Sequence, residues 1–281
     1  MNFAGIEDQY SDLDSAGILL QSIPYDGTST WGKGADKGFE AFLDAAENME
    51  LYDIETNSEV YKRGVHILPS IDEDSSPEAM YEAVLNSTRE VLKLNKFSTF
   101  FGGEHSVSIG IIKAVYEKWP DVTILQIDAH TDLRPSYMGT PYNHACAVYD
   151  ASKHAHLVQV GIRSMDAAEM EHVVPGNCFF AQDISGRNNW ISEVIERLHD
   201  KVYITFDLDA FDPSIMPATG TPEPGGLTWY PTMQLLKEVF RKRDVVGFDI
   251  VELAPIEGFK APDFLAAKLY YKMLSYKFEL K

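Results

Sequence analysis

The chain has 281 residues, 45% hydrophobic and 24% charged, which is the composition of an ordinary globular protein with a large core. A net charge of −19 argues against nucleic acid or an anionic membrane as a partner, and it would draw small cations toward a cleft. The only cysteines, Cys146 and Cys178, do not indicate a disulfide framework, and no apolar run approaches the ~20 residues that cross a bilayer. We therefore expect a cytoplasmic protein with no nucleic-acid or membrane partner.

Seven short apolar runs are predicted to form strands. Each run is nearly continuous in hydrophobicity rather than alternating, which is typical of strands buried on both faces of a parallel sheet. In chain order they are AGILLQSI (16–23), FSTFFGG (97–103), VTILQID (122–128), HLVQVGI (156–162), CFFAQDI (178–184), VYITFDLD (202–209) and VVGFDIVEL (245–253).

Apolar residues at helical spacing follow most of these strands. The helix start signals are clearest at Ser76, a predicted N-cap, and Pro77, at the first helical position. Strands alternating with helices predict one doubly wound α/β domain over residues 1–281. The predicted helices cover 76–94, about 109–119, about 191–198, a segment that begins at Pro231 and a last one that begins near Pro262.

The polar residues at the ends of the predicted strands are the candidate functional residues, because ligands of open α/β sheets bind beyond the carboxyl ends of the strands. In DAHTD, the residues Asp128, His130 and Asp132 are spaced i, i+2, i+4, and an extended chain places all three on one face. Carboxylates held together in this way repel each other unless a cation lies between them.

Two further strands end in residues of the same kind. His105 follows two glycines in GGEHS, and Asp207 and Asp209 follow VYITF at i, i+2 spacing. One such residue alone is ordinarily a loop residue or a helix cap, but six on strand ends that a parallel sheet places side by side predict a shared metal site. The predicted ligands are His105, Asp128, His130, Asp132, Asp207 and Asp209.

The ligand types restrict the metal. Four carboxylates and two imidazoles without a thiolate favour Mn²⁺ over structural zinc, which prefers Cys and His. Six side chains exceed the needs of one ion if some carboxylates bridge. Two ions ~3.5–4 Å apart that share carboxylates and one hydroxide are the simplest arrangement.

Three blocks of the sequence resemble the signature blocks of the ureohydrolases, the family of arginase and agmatinase. The resemblance implies a three-layer α/β/α sandwich with a mainly parallel eight-stranded sheet, and assembly into homotrimers or homohexamers. It also implies two Mn²⁺ ions per subunit that hydrolyse a guanidino group to urea and an amine. The blocks are GGEHS (102–106), DAHTD (128–132) and FDLDAFDPSIMPATGTPEPGG (206–226), and the similarity extends from SIPYDGTST (22–30) to DIVELAP (249–255).

The resemblance also implies a role for each predicted ligand. Asp128 and Asp207 would bridge the two metals, and Asp132 would in addition orient the bridging hydroxide. One metal would be held by His105, Asp128, Asp132 and Asp207, and the other by His130, Asp128, Asp207 and Asp209.

Three residues outside the ligand set match family positions near the substrate. By resemblance, His144 in PYNHACAV would shuttle protons, Glu252 would pair with the substrate guanidinium, and Thr221 in TGTP would line the site. A carboxylate is the natural fork partner of a planar guanidinium cation, and a histidine can relay a proton to the departing amine.

The substrate is predicted to be a small cationic guanidino compound, with agmatine, cleaved to putrescine and urea, as the first choice. Glu104 in GGEHS and Arg134 in DLRPSYMGTP resemble agmatinases rather than arginases. Arg134 could still attract a substrate carboxylate, as in guanidinobutyrate or formiminoglutamate, or it could pair with nearby acids. The alternative is another ureohydrolase, namely a guanidinobutyrase, an arginase or a formimidoylglutamase. Phe39 in GADKGFEAF departs from the proline of the family pattern, which leaves substrate choice open.

Two rival classes remain beside the ureohydrolases. A deacetylase-like hydrolase on the same architecture would use one zinc and fewer aspartates. A non-catalytic, metal-binding relative would not need His144 and Glu252.

Overall fold

The centre of the protein is an eight-stranded sheet in which every pair of neighbouring strands is parallel. A computed structural model describes residues 2–280. The strands are β1 (Ile18–Ile23), β2 (Val65–Ile67), β3 (Phe97–Gly102), β4 (Thr123–Ile127), β5 (His156–Ile162), β6 (Cys178–Phe180), β7 (Lys201–Asp207) and β8 (Asp244–Val251). Their order across the sheet is β2-β1-β3-β8-β7-β4-β5-β6, so four strands with polar tips, β3, β8, β7 and β4, are direct neighbours in the middle.

Helices cover both faces of the sheet. They are α1 (Gly38–Ala46), α2 (Pro77–Lys93), α3 (Val107–Lys118), α4 (Tyr149–His154), α5 (Ala181–Ile184), α6 (Trp190–Arg197), α7 (Trp229–Lys242) and α8 (Ala261–Glu279). One core lies under α1 and α5–α8, and a second core lies under α2, α3 and α4. This arrangement confirms the predicted α/β/α sandwich, with a sheet that is parallel throughout. Within the part of the chain that the structure describes, no helix combines the length and hydrophobicity needed to span a membrane.

The predicted helix boundaries are close to those observed. Ser76 caps α2 by accepting a hydrogen bond from the Ala79 N–H at 3.1 Å, and Pro77 is its first residue. Helix α7 begins at Trp229, before the predicted start at Pro231, because proline fits in the first turn where its missing N–H has no partner to lose.

Several segments differ from the prediction, and helices α1 and α4 were not predicted from the sequence. The run predicted as a strand over 178–184 is wrong beyond Phe180, because residues 181–184 turn into α5. Strand β2 was not predicted from the pattern of apolar residues, since three residues are too short to show a period.

Phe39 belongs to the core rather than to a ligand site. It lies in α1, and its ring packs 5.9 Å from Phe42 and 6.0 Å from Phe101, measured between ring centroids. The ring of Phe42 in turn stacks on that of Phe101 at 4.4 Å. These contacts fix α1 on β3 and give Phe39 a packing role.

A nearly buried ion-pair group attaches α8 to the loop after α1. Lys272 is 11% exposed in its side chain and donates to both carboxylate oxygens of Asp53, at 3.0 and 2.9 Å. It also donates to Glu55 at 2.5 Å, and Glu55 accepts further hydrogen bonds from Lys237 and Tyr276, each at 2.8 Å. Burial raises the pKa of Glu55, but the hydrogen bonds from Lys237, Lys272 and Tyr276 outweigh it and lower the pKa to about 2.

This pKa shift predicts an acid-sensitive contribution to stability. The folded pKa of Glu55 lies below its ordinary value of 4.5, so the stabilisation is complete above pH 4.5 and is lost as the pH falls toward 2. Glu55→Gln should lower the free energy of unfolding by about 1 kcal/mol at pH 7, because water screens a partly exposed pair. Urea unfolding should show this difference shrinking between pH 4.5 and 2, and Glu90→Gln controls for the loss of one exposed charge. A difference independent of pH would contradict the expectation.

Candidate active site

The predicted metal ligands come together at the carboxyl edge of the sheet. His105 follows β3, Asp128 and His130 follow β4, and Asp207 and Asp209 end or follow β7. Since β3, β8, β7 and β4 are neighbours, residues far apart in the sequence share one small volume. Four of the six ligand residues are at most 3% exposed, and Asp132 is 6% exposed.

His105 is surrounded by three carboxylates. Its Nδ1 lies 3.0 Å from an oxygen of Asp128, 3.1 Å from one of Asp132 and 3.2 Å from one of Asp207. The structure thus brings together all four residues expected to hold one metal.

His130 forms the second group. Its Nδ1 lies 3.0 Å from Asp209 Oδ2 and 3.7 Å from Asp128 Oδ1, whereas the other oxygen of Asp128 faces His105. Asp128 therefore has one oxygen in each group, as a bridging carboxylate requires. Asp128 Oδ1 also accepts the His130 N–H at 2.6 Å, and Asp207 Oδ1 accepts the Asp209 N–H at 2.8 Å, so a bridging role stays a prediction for both residues.

The chemistry of these groups fits a divalent cation. An octahedral cation with ligands at about 2.1 Å spaces neighbouring ligand atoms about 3 Å apart, close to the distances around His105. The Nδ1 of His105 is buried and makes no hydrogen bond to any described residue. Its lone pair can therefore serve a metal.

The acid–base properties of the site point the same way. Burial lowers the pKa of His105, but Asp128, Asp132 and Asp207 outweigh burial and raise it well above its ordinary value. Burial and the charges of Asp209 and Asp128 raise the pKa of Asp207 well above its ordinary value. Carboxylates packed this closely need a positive charge among them, which a cation can supply in place of protons.

The backbone is strained at two of the predicted site residues. Asp132 has φ +51° and Glu252 has φ +69°, in the left-handed region that favours glycine. Such conformations are often found where a side chain must be held in one direction for function. Glycine is required at position 103, where a Cβ atom would lie 1.9 Å from the Tyr25 carbonyl oxygen.

A buried hydrogen-bond chain supports His105 from behind, and sequence reasoning missed it. His105 Nε2 lies 2.9 Å from Thr205 Oγ1, and Thr205 donates to Asp249 at 2.8 Å. Asp249 also accepts from Tyr203 and Ser108, at 2.8 and 2.9 Å, and is fully buried. Thr205 can accept from Nε2–H while it donates to Asp249, which leaves Nδ1 free for a metal. The sequence did contain a signal for this chain, because a polar residue interrupts each of two apolar strands: Thr205 in β7 and Asp249 in β8.

Glu252 lies beside the metal ligands. Its Oε1 accepts the His105 N–H at 2.9 Å, and its Oε2 is 3.3 Å from where a Cβ on Gly220 would be. Burial, followed by the charges of Glu104 and Asp209, raises the pKa of Glu252 well above its ordinary value. A cationic group beside Glu252 would oppose this shift and favour the ionised carboxylate.

The other predicted site residues line a common cavity. The cavity has a volume of about 270 Å³ and adjoins the metal ligands. Among its lining residues are His130, Asp132, Arg134, His144 and Thr221. The structure thus brings Arg134, His144 and Thr221 to the same opening.

The charge of Arg134 is already paired. Its guanidinium lies 3.5 Å from Asp166 and 3.7 Å from Glu169, and it stacks 4.4 Å from the centroid of the Tyr137 ring. This arrangement matches the ion pair considered from the sequence. A substrate-binding role for Arg134 stays a prediction.

The sequence matches the profile of the arginase family over residues 16–275. The chain belongs to the arginase family. Its ureohydrolase relatives include the N(1)-aminopropylagmatine ureohydrolase of Synechocystis sp., 34% identical over 93% of this chain and 89% of that protein. They also include the agmatinase of Pyrococcus horikoshii, 28% identical over 94% of this chain and 93% of that protein.

A solved structure agrees with this assignment. The agmatine ureohydrolase of Thermoplasma volcanium superposes with a TM-score of 0.88 at 30% identity, over 99% of this chain and 95% of that one. The protein is therefore a hydrolase of the ureohydrolase type.

The hydrogen-bond chain behind His105 predicts a role for Asp249 in metal affinity. Asp249→Asn removes the negative charge and turns one of the two acceptor oxygens into an N–H₂ donor, which weakens the acceptor that Thr205 needs to hold the His105 ring. We expect the affinity of this ureohydrolase for Mn²⁺ to fall about 10–100-fold, measured by titration calorimetry. Thr99→Val, which removes a buried hydrogen bond elsewhere in the sheet, is the matched control. Unchanged affinity in a folded Asp249→Asn protein would contradict this role.

Proposed function

We propose that this ureohydrolase cleaves agmatine to putrescine and urea, using two Mn²⁺ ions held by the six ligand residues. The observation that carries the proposal is the pair of groups around His105 and His130, which share Asp128. When bound, two divalent cations lower the pKa of a shared water and supply a nucleophile at neutral pH.

The protein side chains would supply binding, orientation and proton transfer. Glu252 would accept guanidinium N–H groups and hold the carbon of the substrate toward the ligand residues, since one of its oxygens already accepts from the His105 N–H. Asp132 would orient the attacking water through its carboxylate. Addition of water to the guanidinium carbon forms a C–O bond, and collapse of the tetrahedral adduct breaks the C–N bond to the amine. The departing amine needs a proton that His144, on the cavity wall, can deliver.

The charges at the cavity support a substrate with a second positive group. Arg134 is paired with Asp166 and Glu169, so it offers little free positive charge to a substrate carboxylate. Asp166 and Glu169 together outnumber Arg134 by one negative charge, and Glu223, 37% exposed, reaches to 3.9 Å from His130 Nε2. This excess of negative charge would attract the ammonium group of agmatine and repel the carboxylate of arginine or guanidinobutyrate.

N(1)-aminopropylagmatine is a second candidate substrate. The Synechocystis relative is named for its hydrolysis, and so are two Thermus thermophilus relatives. It has the same guanidinium group and a longer cationic tail, which the exposed acids at the cavity could also attract.

A substrate panel tests the proposal. With Mn²⁺ bound, we expect kcat/KM for urea release from agmatine or N(1)-aminopropylagmatine to exceed that for arginine and guanidinobutyrate at least about tenfold, a difference of about 1.4 kcal/mol. A chelator should abolish urea release, and added Mn²⁺ should restore it. The ratio of the two cationic substrates decides between the candidates. Preference for a carboxylate-bearing substrate would refute the proposed specificity.

Glu252→Gln tests the binding of the guanidinium. Loss of a charged acceptor should lower kcat/KM about 10–100-fold, because a hydrogen bond to a charged group contributes about 1.5–3 kcal/mol. Bound Mn²⁺, measured by elemental analysis, should stay the same. Glu257→Gln, an exposed change in the loop after β8, is the control. Activity retained in Glu252→Gln would remove Glu252 from the site.

The proposal extends to the assembly and location of the protein. A homotrimer or homohexamer in the cytoplasm is proposed on the resemblance to ureohydrolases. Light scattering coupled to size-exclusion chromatography measures the assembly.

A further inference from the structure

Thr28 connects a buried carboxylate to His144. Its hydroxyl oxygen lies 2.9 Å from Glu104 Oε1 and 3.1 Å from His144 Nδ1. The same oxygen accepts the backbone N–H of His144 at 3.0 Å. Thr28 is 8% exposed and Glu104 is fully buried, so water has little access to these contacts.

The carboxylate end of this chain is fixed in place. Glu104 accepts the Thr28 N–H at 3.2 Å on one oxygen and the Ser106 N–H at 2.8 Å on the other. The Ser106 hydroxyl donates to it as well, at 2.7 Å. Burial raises the pKa of Glu104, but its Oε1 already accepts the Thr28 N–H and the Ser106 hydroxyl, so this oxygen is a fixed acceptor for the Thr28 hydroxyl in either protonation state.

Counting protons assigns the form of His144. A hydroxyl has one proton to donate and two lone pairs that accept. The Thr28 proton is directed to Glu104, so its lone pairs are left for the His144 backbone N–H and for the ring Nδ1. Nδ1 must then carry a proton, and Nε2 of the neutral ring keeps its lone pair. Nε2 makes no hydrogen bond to any residue between 2 and 280.

We propose that Thr28 and Glu104 are positioning residues that hold His144 as the Nδ1–H tautomer, with Nε2 free to take up and release the proton of the reaction. The catalytic part of this inference rests on the proposed function, because it assigns proton transfer to His144.

The protonation state of His144 also supports the inference. Burial, the largest cause, lowers the pKa of His144 below its ordinary value. The ring is therefore neutral near pH 7, where its tautomer matters. When Nε2 takes up a proton, Nδ1–H can keep its hydrogen bond to Thr28, so the ring keeps its orientation.

Two substitutions at Thr28 distinguish the effect of its hydroxyl group from the effect of its side-chain volume. Thr28→Val keeps the volume but removes the hydroxyl, and Thr28→Ser keeps the hydroxyl. The control is Thr140→Val, because Thr140 also donates to a glutamate, Glu78, at 2.6 Å but has no hydrogen bond to His144. All variants are studied as the full chain.

With Mn²⁺ bound, Thr28→Val should lower kcat about 10–100-fold, because a misplaced proton carrier slows the chemical step, and should leave KM within about twofold. Thr28→Ser should recover most of kcat, and Thr140→Val should match the wild type. An unchanged kcat in Thr28→Val, an equal loss in Thr28→Ser, or a loss of bound Mn²⁺ would overturn the catalytic part of the inference.

A measurement without substrate separates this inference from the proposed function. In ¹⁵N-histidine-labelled protein with diamagnetic Mg²⁺, His144 should give the ¹⁵N shifts of an Nδ1–H tautomer, assigned with His144→Asn. In Thr28→Val these shifts should move toward a mixture of tautomers. An Nε2–H tautomer in the wild type would overturn the inference. Failure of the wild type to release urea from any guanidino compound would refute the proposed function and leave the tautomer result standing.

Discussion

Repulsion among buried carboxylates is the constraint on which this structure depends. Asp128, Asp132, Asp207 and Asp209 lie at one edge of the sheet, nearly out of reach of water, and Asp128 faces both histidine groups. Such a cluster is unfavourable unless positive charge is placed within it. The order of the parallel strands and the sharp turns at their ends keep the acids together. The free energy of unfolding is therefore coupled to the binding of cations.

His105 and His144 have different proposed roles, but the same arrangement of hydrogen bonds holds both rings. In each case a threonine hydroxyl accepts a hydrogen bond from the imidazole and donates one to a buried carboxyl group. This fixes the proton on one ring nitrogen and leaves the lone pair of the other nitrogen free. The two sets are Thr205 and Asp249 behind His105, and Thr28 and Glu104 behind His144. The first set leaves a nitrogen of His105 free to bind a metal, and the second leaves a nitrogen of His144 free to take up a proton. The orientation of each ring therefore determines which role its free nitrogen has.

Residues near each other in the sequence were predictable, and contacts between distant segments were not. The spacing in DAHTD placed three groups on one face of an extended chain, and the parallel pattern placed the other strand ends beside it. Asp249 was missed because its partners lie on β7 and α3, and only the register of the sheet brings them together. Thr28 was missed because its partners Glu104 and His144 lie 76 and 116 positions away along the chain. The neutralisation of Arg134 depends on acids more than thirty positions away, at 166 and 169.

The pairing of Arg134 has an evolutionary consequence. One cation at the mouth of the cavity is held by Asp166, Glu169 and the face of Tyr137. Because two acids face one arginine, loss of one of them would leave Arg134 paired, and loss of both would leave a positive charge at the entrance. Few substitutions would therefore give an entrance that favours anionic substrates. Relatives with this scaffold could differ in substrate preference while the reaction at the metal site stays the same.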